Sequence, residues 1–243
     1  MLPSPVALLL DFGGVLAEAP RPDPAPPGLV LRLYNLTNGV LSPGEINRAL
    51  VDGAEAYAAW RDRDEPDELP QAEVWRRFVT SGWPQRAQEA VRVNAAKLSY
   101  DWAWRPTWAL RPGVPEALRA ARAAELPMAV VSNTLCGAAH RDFLAKAGVG
   151  GLFAAQVYSD EVGVRKPNPE MIWHATRRLG VPTGECWFVG DSYRRDVVCA
   201  RRAEAGAAIL MRSLRTSTED ATRWPEPDMV VEDGFGLRDL LPF

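Results

Sequence analysis

The 243-residue sequence contains few residues of the types that usually mark a zinc centre or an extracellular protein. It has three cysteines, Cys136, Cys186 and Cys199, with neither metal-ligand spacing nor an even count. We therefore expect reduced, mostly buried thiols in a cytoplasmic protein. Its two histidines, His140 and His174, lie in predicted helices and show no base–nucleophile arrangement, which favours packing or surface roles over catalysis.

Other absences exclude further classes of protein. No apolar run reaches the roughly 18 residues of a membrane span. The N-terminus lacks a basic region followed by an apolar core and a small-residue cleavage site, so we expect no signal peptide. The net charge is −3 and long basic runs are lacking, which argues against nucleic acid as a partner. With 47% hydrophobic and 24% charged residues, the chain is typical of a globular protein with one large domain or a core and an insert. The oligomeric state stays open between monomer and homodimer.

The stretch LLLDFGGVL, residues 8–16, is the most informative segment of the chain. An apolar run beginning at Val6 has the length and type of a strand buried on both faces. The run ends on a carboxylate, Asp11, and Gly13 and Gly14 follow, which allows a sharp turn and close approach to a ligand. In open parallel sheets, active sites are typically built where a strand delivers a side chain into such a turn.

A helical insert is predicted directly after this first strand. Residues 20–28 contain five prolines and are expected to be extended, as the way into the insert. Residues 29 to about 104 have helical periodicity, and Ser42-Pro43-Gly44-Glu45 has the form of a capping box. The predicted helices begin at this box and span 70–81 and 84–98. No alternating strand pattern occurs in the region, so a small helical bundle is expected.

Beyond residue 110 the sequence alternates between helical and strand patterns. Such alternation predicts right-handed crossovers and a parallel sheet covered on both faces, an α/β fold. The segment 212–228 is polar and is predicted to be a loop. The expected strands are 128–131, 156–158, 186–189, 207–211 and 229–231, and the expected helices are 114–124, 138–147, 168–180 and 194–205.

Polar side chains follow several of these strands at their carboxyl ends, where ligands of open parallel sheets bind. They are Asp11, Ser132 with Asn133, Lys166 shortly after its strand, and Asp191. Two carboxylates and a backbone carbonyl in one crevice form a hard oxygen site suited to Mg²⁺. A lysine, a hydroxyl and the N–H groups of a glycine turn suit phosphate oxygens. A carboxylate in that setting can attack phosphorus and form an aspartyl-phosphate.

The segments DFGGVL, VVSNT, GVRKPNPEM and VGDSYRRD resemble, in order, the four sequence motifs of the haloacid dehalogenase-like hydrolase superfamily. The resemblance covers residues 6–16 and 110–211. It implies a Rossmann-like core, residues 1–16 and 106–243, with strand order 5-4-1-2-3. It also implies that residues 17–105 form a helical cap of type C1, and that the protein is a Mg²⁺-dependent phosphatase.

The resemblance also implies roles for individual residues. Asp11 resembles the nucleophile and a metal ligand, Lys166 the lysine that holds the nucleophile and phosphate together, and Asp191 the metal-ligating acid of the fourth motif. Ser132 resembles the phosphate-binding hydroxyl, with Asn133 beside it. Among the remaining assignments, the Gly13 carbonyl is a metal ligand, and Glu161 and Arg165 are structural residues. Asp196 is an acid that contacts the metal ligands or a metal-bound water rather than the metal itself.

One position departs from the family pattern. The family's phosphatases usually carry an acid two residues after the nucleophile, which protonates the leaving group, and this chain has Gly13 there. Glu18 is a candidate replacement only because it is near in sequence. The favoured function is hydrolysis of a small phosphomonoester, such as a sugar phosphate or another activated ester. The alternatives are a metal-independent 2-haloacid dehalogenase and a phospholigand- or partner-binding homologue with little catalysis.

Overall fold

The computed structural model describes residues 2–20 and 23–241 of the chain. Arg21 and Pro22, within the proline-rich segment predicted to be extended, lie outside the described residues. The chain divides into two compact units. One unit combines Met1–Ala19 with Thr107–Phe243, and the other is Pro20–Pro106.

Among the described residues, six parallel strands of the first unit form one sheet, and two short strands that are distant in sequence form an antiparallel pair. The order across the sheet is β5-β4-β1-β6-β7-β8. The α/β fold class is therefore confirmed. When the strands β1, β4, β5, β6 and β7 are numbered 1 to 5 in chain order, they lie in the predicted order 5-4-1-2-3, and β8 adds a sixth strand at the edge next to β7. The strands are β1 (Ala7–Leu10), β2 (Ala17–Glu18), β3 (Ala109–Leu110), β4 (Met128–Ser132), β5 (Ala155–Tyr158), β6 (Cys186–Gly190), β7 (Ala207–Met211) and β8 (Met229–Val231).

The helices occur in both units. They are α1 (Pro27–Leu36), α2 (Pro43–Arg61), α3 (Gln71–Val74), α4 (Gln85–Val93), α5 (Ala95–Ala103), α6 (Val114–Ala123), α7 (Gly137–Lys146), α8 (Ser159–Val162), α9 (Glu170–Leu179), α10 (Val198–Arg202) and α11 (Gly234–Leu240). The expected helix 194–205 is shorter than predicted, because its first turn, Tyr193–Val197, is a π-helical turn that precedes α10.

The core of the first unit explains why β1 is apolar throughout. Ala7 and Leu9 pack on one face of the sheet against residues of α9 and α10, such as Met171 and Ala200. Leu8 and the other residues of β1 are equally buried, since the strand is covered on both faces. The cysteines Cys136, Cys186 and Cys199 are free and buried, as the sequence predicts.

The second unit is helical, as predicted. Ser42 caps α2 through a capping box, accepting a hydrogen bond from the Glu45 N–H while the Glu45 side chain accepts one from the Ser42 N–H. The helix expected over 70–81 consists of α3 and a π-helical turn, Trp75–Val79. The helix expected over 84–98 is interrupted at Asn94, which separates α4 from α5. The role of this unit as a cap stays a prediction.

Tryptophans form part of the core of this helical unit. The rings of Trp75 and Trp102 lie 4.9 Å apart, and the Trp75 indole N–H donates to Ser99 Oγ at 3.0 Å. The Trp102 indole N–H donates to the Pro24 carbonyl at 2.9 Å. Both buried indoles therefore have hydrogen-bond partners, which buried tryptophans usually require.

None of the helices in residues 2–20 and 23–241 has both the length and the apolar character of a membrane span.

Candidate active site

The turn after β1 places Asp11 at the carboxyl end of the central strand. The Phe12 N–H donates to Asp11 Oδ1 at 2.8 Å, which fixes the carboxylate within the turn. Gly14 has a φ of +76°, and a Cβ there would overlap the Asp191 carboxylate. A glycine is therefore required for the ends of β1 and β6 to approach so closely. At Gly13, by contrast, a Cβ would point into open space.

Lys166 joins two of the predicted site acids. Its Nζ lies 2.9 Å from Asp11 Oδ1 and 2.6 Å from Asp196 Oδ1, and it donates to the Val131 carbonyl at 3.0 Å. The side chain is 1% exposed. Burial alone would lower the pKa of Lys166, but the carboxylates of Asp11 and Asp196 hold the pKa above its usual value. The lysine is therefore a fixed positive charge on the nucleophile predicted from the sequence.

Asn133 has a different contact from the one expected of a phosphate ligand. Its Nδ2 donates to the Lys166 carbonyl at 2.9 Å, and its Oδ1 accepts from the Lys166 N–H at 2.8 Å. The amide thus ties the end of β4 to the loop that carries Lys166. Ser132, the last residue of β4, is 2% exposed. The assignment of Ser132 and Asn133 to phosphate binding stays a prediction.

Asp196 is held by groups that use both of its oxygens. Oδ2 accepts from the N–H groups of Asp191 and Ser192, each at 3.0 Å, while Oδ1 contacts Lys166. These contacts stabilise the turn that carries Asp191. These contacts fit the predicted role of Asp196, an acid that contacts the metal ligands, better than direct ligation of the metal.

The loop after β7 contributes three contacts to Asp191. The Ser213 hydroxyl donates to Oδ2 at 2.7 Å, Arg215 Nη1 lies 3.1 Å from Oδ1, and the Thr216 hydroxyl donates to the Asp191 carbonyl at 2.6 Å. Residues 212–228 have no hydrophobic periodicity, so the sequence predicts only a polar loop there and no part of the site. The end of β7 was a usable signal, since Ser213 follows that strand as Ser132 ends β4.

The acidic cluster carries more negative charge than its buried setting favours. Oxygens of Asp11, Asp191 and Asp196 lie within 4.8 Å of one another, and all three residues are buried. Burial raises the pKa of Asp191 to about 6, although the Arg215 guanidinium acts in the opposite direction. Excess buried carboxylate charge and all-oxygen donors fit a hard divalent cation such as Mg²⁺. The assignment of Asp11 and Asp191 as its carboxylate ligands stays a prediction.

The structure also gives the surroundings of the other residues singled out in the sequence. Glu18, in β2, is 58% exposed at its side chain and lies 3.4 Å from Arg111, so its use as a general acid stays a hypothesis. His140 stacks on Phe12 with ring centroids 3.8 Å apart, consistent with packing. Glu161 pairs with Arg141 at 3.0 Å, and the neighbouring Arg165 is buried at 3% exposure, as expected of structural residues.

Comparison with protein families gives one match that covers most of the chain. The model of the haloacid dehalogenase-like hydrolases matches residues 7–204. A phosphoserine phosphatase of Thermus thermophilus is 31% identical over 190 residues, covering 76% of this chain and 68% of that protein. A glyceraldehyde 3-phosphate phosphatase of Methanopyrus kandleri is 33% identical over 98 residues, 40% of this chain and 42% of that protein.

Solved structures share the fold at lower sequence identity. A HAD phosphatase from Thermococcus onnurineus aligns with a TM-score of 0.64 at 19% identity, covering 97% of each chain. CbbY from Rhodobacter sphaeroides, solved in complex with phosphate, aligns with a TM-score of 0.56 at 22% identity, covering 96% of each chain. At these identities, the likeness shows the fold alone.

Proposed function

The chain belongs to the haloacid dehalogenase-like hydrolases, and from that premise we propose that it is a Mg²⁺-dependent phosphatase of small phosphate monoesters. The relatives named as phosphatases support this class of substrate. The observation that carries the proposal is the contact of Lys166 Nζ with both Asp11 and Asp196, beside the carboxylate of Asp191.

The nucleophile is Asp11, and its contacts indicate which oxygen reacts. Oδ1 takes the hydrogen bond from the Phe12 N–H and the ion pair with Lys166, which leaves Oδ2 to attack phosphorus. Attack forms a bond from Oδ2 to phosphorus and breaks the bond from phosphorus to the substrate alcohol oxygen, which leaves as an alkoxide and takes a proton from water. Water then attacks the aspartyl-phosphate, releasing inorganic phosphate and restoring the Asp11 carboxylate.

The remaining residues bind and orient the phosphoryl group. Lys166 supplies a positive charge that stabilises the equatorial oxygens in the transition state, and Ser132 supplies a hydroxyl donor. Asn133 holds Lys166 in place through its two hydrogen bonds to that residue's main chain. When bound by Asp11, Asp191 and the Gly13 carbonyl, Mg²⁺ would neutralise charge on the phosphoryl oxygens.

The glycine at position 13 favours one kind of substrate among the small phosphate monoesters. The family acid is absent, and the space that its side chain would occupy is open. A positioned general acid contributes about 10² to 10⁴ in rate, and most for alcohols that leave poorly. Esters with good leaving groups, such as sugar 1-phosphates, are therefore the favoured substrates.

Turnover of phosphate esters by the purified chain, with and without Mg²⁺, tests the proposal. We expect inorganic phosphate release from a panel of phosphorylated metabolites, and loss of release in Asp11→Asn. Asp239→Asn is the matched control, since this carboxylate is 64% exposed and pairs with the surface residue Arg238. Chloride release from a 2-haloacid in the presence of EDTA would favour the dehalogenase instead. A folded chain that binds Mg²⁺ but turns over neither substrate class would favour a binding homologue.

A further inference from the structure

The segment Ser213–Thr216, which follows β7, is built around the Asp191 carboxylate. Besides its contact with Asp191, Ser213 Oγ accepts hydrogen bonds from the N–H groups of Arg215 at 3.0 Å and Thr216 at 3.3 Å. Farther along the loop, Glu219 accepts from the Ser192 hydroxyl and the Tyr193 N–H, each at 2.6 Å. The segment is thus tied to the turn that carries Asp191 at several points.

Arg215 brings a second positive charge to the acidic cluster. Lys166 and this guanidinium, which lies 3.1 Å from Asp191 Oδ1, offset two of the three carboxylate charges. An arginine guanidinium stays charged in proteins, so Arg215 places a full positive charge beside Asp191.

The two cations of the site differ in their access to water. The Lys166 side chain is 1% exposed and contacts two carboxylates, whereas the Arg215 side chain is 39% exposed. A guanidinium at this exposure can leave the carboxylate at small cost, because water replaces its contacts. A buried lysine cannot do so without leaving charges uncompensated. Arg215 is therefore the cation of the site that another cation can displace.

We propose that Arg215 is the resident counter-cation of Asp191, which a divalent ion must displace, so that Arg215 lowers the affinity of the site for Mg²⁺. The inference rests on the proposed function, because it takes Asp191 as a metal ligand. Because the Ser213 hydroxyl already donates to Oδ2, the metal would compete with the guanidinium for Oδ1. Like charges a few ångströms apart also repel at partly buried positions. Until the ion binds, Arg215 holds the Asp191 carboxylate in position, and is in this sense a positioning residue.

Calorimetric titration of MgCl₂ into the full, metal-stripped chain tests this competition without using catalysis. Arg215→Gln removes the charge and should tighten the Kd for Mg²⁺ by roughly tenfold. Arg215→Lys keeps the charge and should stay near wild type. Arg212→Gln is the matched control, because Arg212 is 58% exposed and pairs with Glu232 at 2.8 Å, so its removal should leave the Kd unchanged.

The outcomes separate this inference from the proposed function. A purely structural role for Arg215 predicts weaker Mg²⁺ binding in Arg215→Gln, as expected for Ser213→Ala, and that result would overturn the competition. Equal affinities in wild type and Arg215→Gln would overturn it too, while leaving the metal site intact. Binding in Arg215→Gln alone would support the competition strongly. Binding in neither folded protein would contradict both the inference and the Mg²⁺ dependence.

Discussion

Both ends of the Asn133 side-chain amide are bonded to the main chain of Lys166, with Nδ2 donating at 2.9 Å and Oδ1 accepting at 2.8 Å. The asparagine therefore sets the position of the lysine that contacts Asp11. Asn133→Ala should lower kcat/KM for phosphate esters by about 10² through misplacement of Lys166.

The same variant should lower the free energy of unfolding by about 1 to 3 kcal/mol, because two partly buried main-chain groups lose their partners. Asn94→Ala is a suitable control, since its amide donates to the Ala90 carbonyl within the helical unit. Chemical denaturation and steady-state kinetics on both variants check the prediction. Unchanged kcat/KM in a destabilised Asn133→Ala would show that Lys166 does not depend on this amide.

The two glycines after Asp11 should respond differently to alanine. Gly13→Ala adds a methyl group where nothing lies within 4 Å, so stability should barely change. Gly14→Ala requires a side chain at a φ of +76° and overlaps the Asp191 carboxylate. It should cost about 2 kcal/mol or more of unfolding free energy. Equal denaturation midpoints for the two variants would argue against the close approach of Gly14 to Asp191.

Gly13→Asp should restore leaving-group protonation, because the position has room for the side chain. For the wild type we expect rates that fall steeply as the pKa of the leaving alcohol rises. The variant should gain most with poor leaving groups, up to about 10² to 10⁴. The measurement is log(kcat/KM) against leaving-group pKa for both proteins. A flat wild-type plot would mean that another residue, such as Glu18, already acts as the acid.

Mg²⁺ should stabilise the folded protein by mass action. At a concentration 100 times its Kd, a ligand that binds only the folded state adds about 2.7 kcal/mol. The melting temperature should therefore rise with MgCl₂ in the wild type and in Asp239→Asn, and fail to rise in Asp191→Asn. An equal rise in Asp191→Asn would remove Asp191 from the metal site.

The three thiols should be unreactive in the folded protein. Cys136, Cys186 and Cys199 are buried, and burial raises the pKa of Cys186 to about 11. Ellman's reagent at pH 8 should therefore react only after unfolding in urea, because the reagent needs an accessible thiolate. Rapid reaction of one thiol under native conditions would show that its surroundings open.

Much of the site could be predicted because the carboxyl ends of parallel strands lie at the same edge of the sheet. Asp11 and Asp191 lie close together for that reason, although they are 180 residues apart in the chain (191 minus 11). Apolar runs of four or five residues were enough to locate β1, β4, β6 and β7. The contact of Lys166 with Asp11 was implied by the family motif alone.

Features that depend on single contacts were not predictable. The break at Asn94 and the π-helical turns keep the apolar face of each helix, so periodicity does not reveal them. The antiparallel strands β2 and β3 have two residues each, too few for an alternating pattern. Arg215 lies in a polar loop, and only the fold brings its guanidinium to Asp191.

The most direct test of the account is detection of a phosphoryl group on Asp11. The chain is mixed with substrate and Mg²⁺, quenched in acid within one turnover, and digested for mass spectrometry. We predict a phosphorylated peptide containing Asp11 in the wild type and its absence in Asp11→Asn, with Asp239→Asn behaving as wild type. Turnover with no phosphoryl adduct on Asp11 at any quench time, or an adduct on another residue, would contradict the assignment of Asp11 as the nucleophile.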